Sequence, residues 1–215
     1  MNEVFLLAIA YLLGSIPTSV WVSKRFFGID IRDYGSGNAG ATNTFRVLGK
    51  QAGAAVFAVD MFKGFIAVKL AYLSFYSFSQ SGDAFTNLQI ALGLVAVLGH
   101  IFPLFAGFKG GKGIATLFGM ILGIQWMVAV CLVIVFFTML FLTKYVSLSS
   151  ITASITFPLL LLFIFKGQEP AYLLFAVSTA LLVLFTHHKN INRLLSGNES
   201  KVKVKLKRKQ KNEHT

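Results

Sequence analysis

The chain has 215 residues, of which 55% are hydrophobic and 14% aromatic, and it carries a formal net charge of +12. A mean hydropathy of +0.71 excludes a soluble globular domain of this size and places the chain in a membrane. Its one cysteine, Cys131, lies in an apolar run, which excludes a disulfide framework or a cysteine-based metal site, and no internal repeat is visible.

About 20 apolar residues are needed to cross the hydrocarbon of a bilayer. Spans are expected near residues 4–22, 52–77, 87–106, 113–124, 126–142, 149–165 and 170–186. The first has no basic region ahead of it and no small-residue cleavage site behind it, so it is expected to be a retained span. The stretch 113–142 is too long for one straight span and a little short for two, and charge parity decides between them. With seven spans and the N-terminus outside, Lys24, Arg25, Arg32, Arg46, Lys50, Lys109, Lys112, Lys144 and the basic tail fall on the inner face. The outer loops then hold only Lys166, Asp83 and Glu169. The expectation is an all-α integral membrane protein of seven transmembrane helices over residues 1–199, N-terminus outside and C-terminus cytoplasmic, followed by a disordered basic tail at 200–215.

Four polar segments interrupt the pattern, and odd-numbered spans deliver all of them to the inner face. Pro17 is expected to kink the first helix shortly before the first segment. That segment, YGSGNAGATN at residues 34–43, contains Gly35-x-Gly37-x-x-Gly40, but no strand precedes it and no parallel sheet follows, as the dinucleotide fingerprint requires. Glycines still free the backbone to turn N–H groups toward an anion. Ser36, Asn38, Thr42 and Asn43 add side-chain donors, and Arg46 adds a bidentate charge for a phosphate; an ordinary polar loop is the alternative. In the second span Asp60 and Lys63 stand one turn apart and are expected to pair toward the bundle interior in a structural role. Lys69 is expected to snorkel toward an interface.

The second polar segment, GFKGGKGIAT, fails the P-loop pattern because Gly113 stands where Ser or Thr is required. Lys109, Gly110, Gly111 and Lys112 nevertheless combine flexible N–H donors, a helix N-terminus and two ammonium groups. His100 and Pro103 just before it are expected to terminate the third span. Two such loops point to two phosphate groups. In VSLSS, Ser147, Ser149 and Ser150 form a hydroxyl cluster, the last two being suited equally to capping the sixth helix. His187 and Asn190, one turn apart at the inner end of the seventh span, can face one site, with His187 a candidate for substrate contact or general base. Nine of the 20 Lys and Arg lie beyond residue 186, as a juxtamembrane tail suited to anionic membrane lipids rather than to nucleic acid.

No nucleophile elbow, zincin motif or Cys/His zinc set is present, and no Asp lies near the two inner-face His residues, so neither metal nor cofactor is expected. A site rich in phosphate binders and poor in acids and bases suits a substrate that already carries a good leaving group, where positioning and charge stabilisation do most of the work.

Together, GSGNAGATN with Arg46, GHIFPLFAGFKGGKGIAT, KYVSLSSI and HHKNINRLLSGNE resemble, in order, the motifs of the bacterial membrane acyltransferases that acylate glycerol 3-phosphate from acyl phosphate. The resemblance covers residues 1 to about 199. It implies seven spans in the cell membrane, an active site facing the cytoplasm, and acyl phosphate and glycerol 3-phosphate as partners. The product would be 1-acylglycerol 3-phosphate, with no obligate protein partner. By the family's pattern the 35–43 loop with Ser36, Asn38 and Arg46 grips a substrate phosphate. Lys109, Gly110, Gly111 and Lys112 contribute to glycerol 3-phosphate binding, with Ser147, His187 and Asn190 nearby. Ser36, Arg46 and His187 are the residues expected to act in the reaction. A transporter or exchanger of a phosphorylated metabolite is the alternative class. It requires polar groups near the bilayer midplane and paired repeats, of which only Asp60, Lys63 and the short fourth span give any sign.

Overall fold

Apolar residues without turn formers run for most of this chain, and the computed structural model, which describes residues 2–75, 82–166 and 170–202, folds them into helices with no strand among the described residues. Glu3–Gly14 forms α1 and Thr18–Phe27 forms α2. Between them Pro17, which has no N–H to continue a helix, sits at the N-cap of α2, so the expected kink is a full break. Ala41–Val47 (α3) and Lys50–Lys69 (α4) follow the first polar loop. Then come Gly82–Ile101 (α5), Ile114–Ile124 (α6), Trp126–Thr143 (α7), Val146–Phe163 (α8), Pro170–Thr186 (α9) and His188–Leu195 (α10). Glu169 and residues 203–215 lie outside the described residues, as does most of the expected tail.

Four helical stretches are long and apolar enough to cross a membrane: Glu3–Phe27, Gly82–Ala106, Trp126–Thr143 and Val146–Phe163. A fifth is reached if α9 and α10, bent by 62° at their junction, count as one span. Of the seven expected segments, α4, which carries Lys50, Asp60, Lys63 and Lys69, is not among these stretches. The helix α6 falls short on length, with 11 residues.

Two apolar clusters hold the bundle. One packs Leu6 and Ala10 of α1, Ala67 of α4 and Leu92 and Ala96 of α5; the other joins α5 to α9 around Met120, Val128, Phe157, Tyr172 and Phe175. Phe157, Tyr172 and Phe175 stack edge-on or tilted with centroids 5.5 to 5.9 Å apart. Phe137, Phe141, Phe163, Leu174, Leu181 and Phe185 remain exposed on α7 to α9, an apolar surface that lipid covers.

Glycine decides how closely the helices approach. A Cβ built at Gly119 would lie 1.9 Å from the Met61 carbonyl oxygen, and one at Gly64 would lie 2.0 Å from the Thr116 carbonyl oxygen. Backbones of α4 and α6 therefore touch directly, and α1 meets α5 the same way at Gly14 and Gly99. Lys69 does not snorkel outward: its ammonium donates to the Gly123 carbonyl at 2.8 Å, satisfying the C-terminal end of α6. The paired Asp60 and Lys63 are buried as expected, 2.6 Å apart.

Gly119→Ala is expected to destabilise the protein by about 1–3 kcal/mol through overpacking, whereas Gly82→Ala, with nothing within 4 Å of its added methyl, is expected to leave stability unchanged. Thermal unfolding of both variants in detergent measures the contrast.

Candidate functional site

The first polar loop is held from inside. Asp30 accepts from the Arg32 backbone N–H and from Arg32 Nε (2.9 Å) and Nη2 (2.7 Å), and pairs with Lys24 at 3.1 Å. The Arg32 guanidinium accordingly holds the Asp30 carboxyl well below the usual carboxylate range. Arg32 Nη1 also reaches the Ala106 carbonyl at 2.9 Å, tying this loop to the second one. Asn43, expected among the outward donors, is turned inward and fully buried. Its Oδ1 accepts from the Ser36 N–H at 2.9 Å, and its Nδ2 donates to the Ile31 and Tyr34 carbonyls at 3.1 and 2.9 Å. Gly35 (φ +62°) and Gly37 (φ +72°) make the left-handed turns around it, and a Cβ at Gly35 would strike Asn43 Oδ1. Ser36, Thr42 and Arg46 stay exposed and Asn38 is half-buried. The loop runs through Gly40 into α3, whose first intrahelical bond is Thr44 N–H to Gly40 carbonyl, so the preceding amides form an open helix N-terminus.

The second loop departs from expectation in one respect. The Gly110 and Gly111 N–H groups donate to the Ile101 and His100 carbonyls at 3.1 and 3.2 Å, closing the end of α5 rather than facing an anion. The anion-attracting element is the N-terminus of α6 after Gly113 (φ +80°), where Leu117 N–H makes the first intrahelical bond. Gly110 and Gly111 serve close approach instead: a Cβ at Gly111 would lie 2.8 Å from the Ala39 carbonyl oxygen of the first loop. Lys109 is exposed, and among the described residues no ion pair or hydrogen bond joins it to the other site residues. Lys112 turns inward to donate to Asn190 Oδ1.

Asn190 and Ser147 meet at a group to which sequence reasoning gave no role. Glu199 Oε1 accepts from Ser147 Oγ (2.8 Å) and Asn190 Nδ2 (2.7 Å), while Oε2 accepts from Arg193 Nε at 2.7 Å. Burial would raise the Glu199 carboxyl, but the bonds from Asn190, Ser147 and Arg193 outweigh it and hold the group below its ordinary value. The available signal was Glu199's isolation among the cations of the fourth segment. Ser149 and Ser150 do not cap α8; their hydroxyls bond back to the Tyr145 and Val146 carbonyls one turn earlier.

His187 sits at the α9–α10 bend, 3% exposed. Its Nδ1 lies 2.9 Å from the Val183 carbonyl, and since a carbonyl only accepts, the proton belongs on Nδ1 and Nε2 keeps its lone pair. Burial, then the Lys112 charge, pulls His187 down to about 4, so the ring is neutral at pH 7. Lys112 is itself brought down to about 8, first by burial, with the Glu199 charge opposing and Arg193 and Arg46 adding to the fall. Those mutual influences gather Arg46, Lys112, Ser147, His187, Asn190, Arg193 and Glu199 around one polar centre. No cluster of three or more metal-ligating side chains occurs among the described residues.

Known proteins resemble this chain over nearly its whole length. Residues 4–197 match the family model described as glycerol-3-phosphate acyltransferase. The chain is 43% identical over 209 residues to a glycerol-3-phosphate acyltransferase of Streptococcus pneumoniae, covering 94% of each chain. It is 44% identical over 199 residues to one from Fusobacterium nucleatum, covering 92% of this chain and 96% of the relative. Among solved structures it is similar to the integral membrane glycerol 3-phosphate acyltransferase PlsY (YgiH) in its glycerol 3-phosphate form, with a TM-score of 0.82 and 41% identity over 94% of this chain and 96% of that one.

Asn43→Asp keeps the size of the side chain but turns the donor that bonds the Ile31 and Tyr34 carbonyls into a buried acceptor facing them, and a buried polar group without its hydrogen-bond partner costs about 1–3 kcal/mol. Limited proteolysis is expected to cut the variant within residues 34–43 under conditions that leave the wild type intact.

Proposed function

The chain belongs to the glycerol-3-phosphate acyltransferase family of integral membrane enzymes, and we propose that its acyl donor is acyl phosphate. The products would be 1-acylglycerol 3-phosphate and inorganic phosphate, in the service of phospholipid synthesis. The observation that carries this reading is the pair of glycine loops, each running into a helix N-terminus (α3 after Gly40, α6 after Gly113), with Lys112 just before the second and Arg46, in the last turn of α3, close enough for its charge to act on Lys112. Two anion-attracting ends suit two phosphorylated substrates. A solved relative has also been captured in a lysophosphatidic acid form, with a TM-score of 0.78 and 41% identity.

In the proposed reaction the 1-hydroxyl oxygen of glycerol 3-phosphate attacks the acyl carbonyl carbon. The carbonyl-to-phosphate C–O bond breaks, and the leaving phosphate takes the hydroxyl proton. A phosphate group with a second pKa of about 6 is a better proton acceptor at pH 7 than an imidazole held near 4. His187 then serves by accepting a hydrogen bond at Nε2 and aiming the hydroxyl. Lys112, Asn190 and Ser147 hold the glycerol 3-phosphate, and Ser36, Asn38, Thr42, Arg46 and the 35–40 backbone hold the acyl phosphate. Lys109 contributes long-range attraction from its exposed position.

The topology that fits this reading keeps the seven expected segments in the membrane, with α1 and α2 counted as one, α4 and α6 sheltered by their neighbours, and α6 entering only part of the way before α7 returns the chain to the same face. The N-terminus lies outside, and the site faces the cytoplasm across a bacterial plasma membrane.

Purified protein in detergent is expected to release phosphate only when acyl phosphate and glycerol 3-phosphate are both present. Finding an acylated Ser36 or Ser147 by mass spectrometry would overturn the direct-attack mechanism. Since Lys112 must be charged to hold a phosphate, kcat/KM for glycerol 3-phosphate is expected to fall as pH rises through about 8. Lys112→Arg, which stays charged, is expected to lose that alkaline limb. No acidic limb from His187 is expected above pH 5, because the ring stays neutral until about 4.

A further inference from the structure

Asp60, Lys63, Thr18 and His100 form a buried polar knot that the proposed mechanism does not use. Asp60 Oδ1 accepts from Lys63 Nζ at 2.6 Å and from Thr18 Oγ1 at 2.9 Å, and His100 Nδ1 lies 3.8 Å away. Lys63 also donates to the Ile16 carbonyl at the α1–α2 break. All four side chains are at least nine-tenths buried. Stability alone is a weak reason to keep such a group, because well-packed apolar replacements of buried ion pairs are often neutral or stabilising.

Its contacts run toward the site. The His100 imidazole has Asp60 on its Nδ1 side and Gly111 on its Nε2 side, where a Cβ at Gly111 would come within 2.3 Å of Nε2. The same turn is bonded to the end of α5 through Gly110 and Gly111, the latter to the carbonyl of His100 itself. Lys112 follows directly, with its ammonium on Asn190. The Asp60 carboxylate lies alongside the imidazole, beyond direct hydrogen-bond reach, the imidazole is the surface on which Gly111 sits flush, and the seat of Gly111 fixes where the Lys112 side chain begins.

We propose that Asp60 and His100 are positioning residues that seat the Gly110–Gly111–Lys112 turn so that Lys112 meets the phosphate of glycerol 3-phosphate. This rests on the reading of Lys112 as a ligand of that phosphate. Neither residue touches substrate; both act through the turn. Misplacement of a binding group by about 1 Å costs up to about 100-fold, which sets the expected size of the effect.

The test measures glycerol 3-phosphate binding directly by calorimetry on the detergent-solubilised protein, without donor, alongside kcat and KM in the acyl-transfer assay. Variants are His100→Ala, His100→Gln, the charge-neutral double replacement Asp60→Asn with Lys63→Gln, and Gly111→Ala, which keeps every side chain of the knot and disturbs the seat from the side of the turn, where its methyl meets His100 Nε2 and the Ala39 carbonyl. Binding and KM are expected to worsen about 10- to 100-fold in His100→Ala, the double variant and Gly111→Ala, with kcat near wild type and with His100→Gln recovering most of the loss. The inference is overturned if the variants that fold bind glycerol 3-phosphate as the wild type does. It is equally overturned if losses appear in thermal stability or kcat alone, or if His100→Gln fares no better than His100→Ala. Lys112→Ala separates the two readings: unchanged binding in that variant refutes Lys112 as the ligand, whereas weakened binding there with normal binding in Gly111→Ala refutes only the seating role.

Discussion

The contact on which the site depends is the one between the backbones of α4 and α6. At about 1.5 Å per residue, the 11 residues of α6 reach roughly half the depth of a hydrocarbon core of about 30 Å. A helix that ends inside a bilayer exposes terminal amides and carbonyls that lipid cannot satisfy. The protein resolves this by laying α6 against α4 with glycine at Gly64 and Gly119, and by closing the C-terminal end of α6 with Lys69 on the Gly123 carbonyl. Its other end is then free to be polar. That end, after Gly113, is where Lys112 and the second loop lie, so a helix too short to cross becomes the means of bringing a positive helix end to the site.

Charge imposes the next constraint. Burial disfavours the Lys112 charge, and the neighbouring charges of Arg193 and Arg46 disfavour it further. One carboxylate, Glu199, offsets them while engaging Ser147, Asn190 and Arg193. On the proposed reading, a substrate phosphate beside Lys112 would add negative charge where burial and neighbouring cations disfavour the ammonium. Asp30 plays the corresponding part for Lys24 and Arg32 below the first loop, but there the partners are saturated by one another and the cluster is structural.

What the sequence disclosed follows from which physical signals are local. Apolar runs, the Pro17 break and the helix-like spacing of Asp60 with Lys63 and of His187 with Asn190 are short-range properties, and the structure bears out the interior pair and brings Lys112 onto Asn190. Direction within a loop is not local. Asn43 and the Gly110 and Gly111 amides read as donors for a ligand, yet they are spent on carbonyls contributed by residues 31, 34, 100 and 101, whose proximity only the folded chain creates. The importance of Glu199 was hidden for the same reason: its partners come from the first turn of α8 and from α10. Lys69 looked like a surface residue because the carbonyl it meets, at Gly123, is 54 positions away.

The environment of His187 bears on why a site of this kind can lack a nucleophile. An imidazole whose Nδ1 is held by the Val183 carbonyl and whose charged form is opposed by burial and by Lys112 is a weak base, but a well-oriented acceptor. With a thioester or an ester as donor, a weak base would leave the attacking hydroxyl without a destination for its proton. With acyl phosphate, the proposed donor, the leaving group carries that destination to the reacting carbon and departs with the proton. The cations that hold the phosphate also stabilise the charge that gathers on it as the C–O bond breaks. In the proposed division of labour Arg46 and the first loop face the leaving phosphate, while Lys112, which together with burial makes His187 a poor base, faces the phosphate of the acceptor.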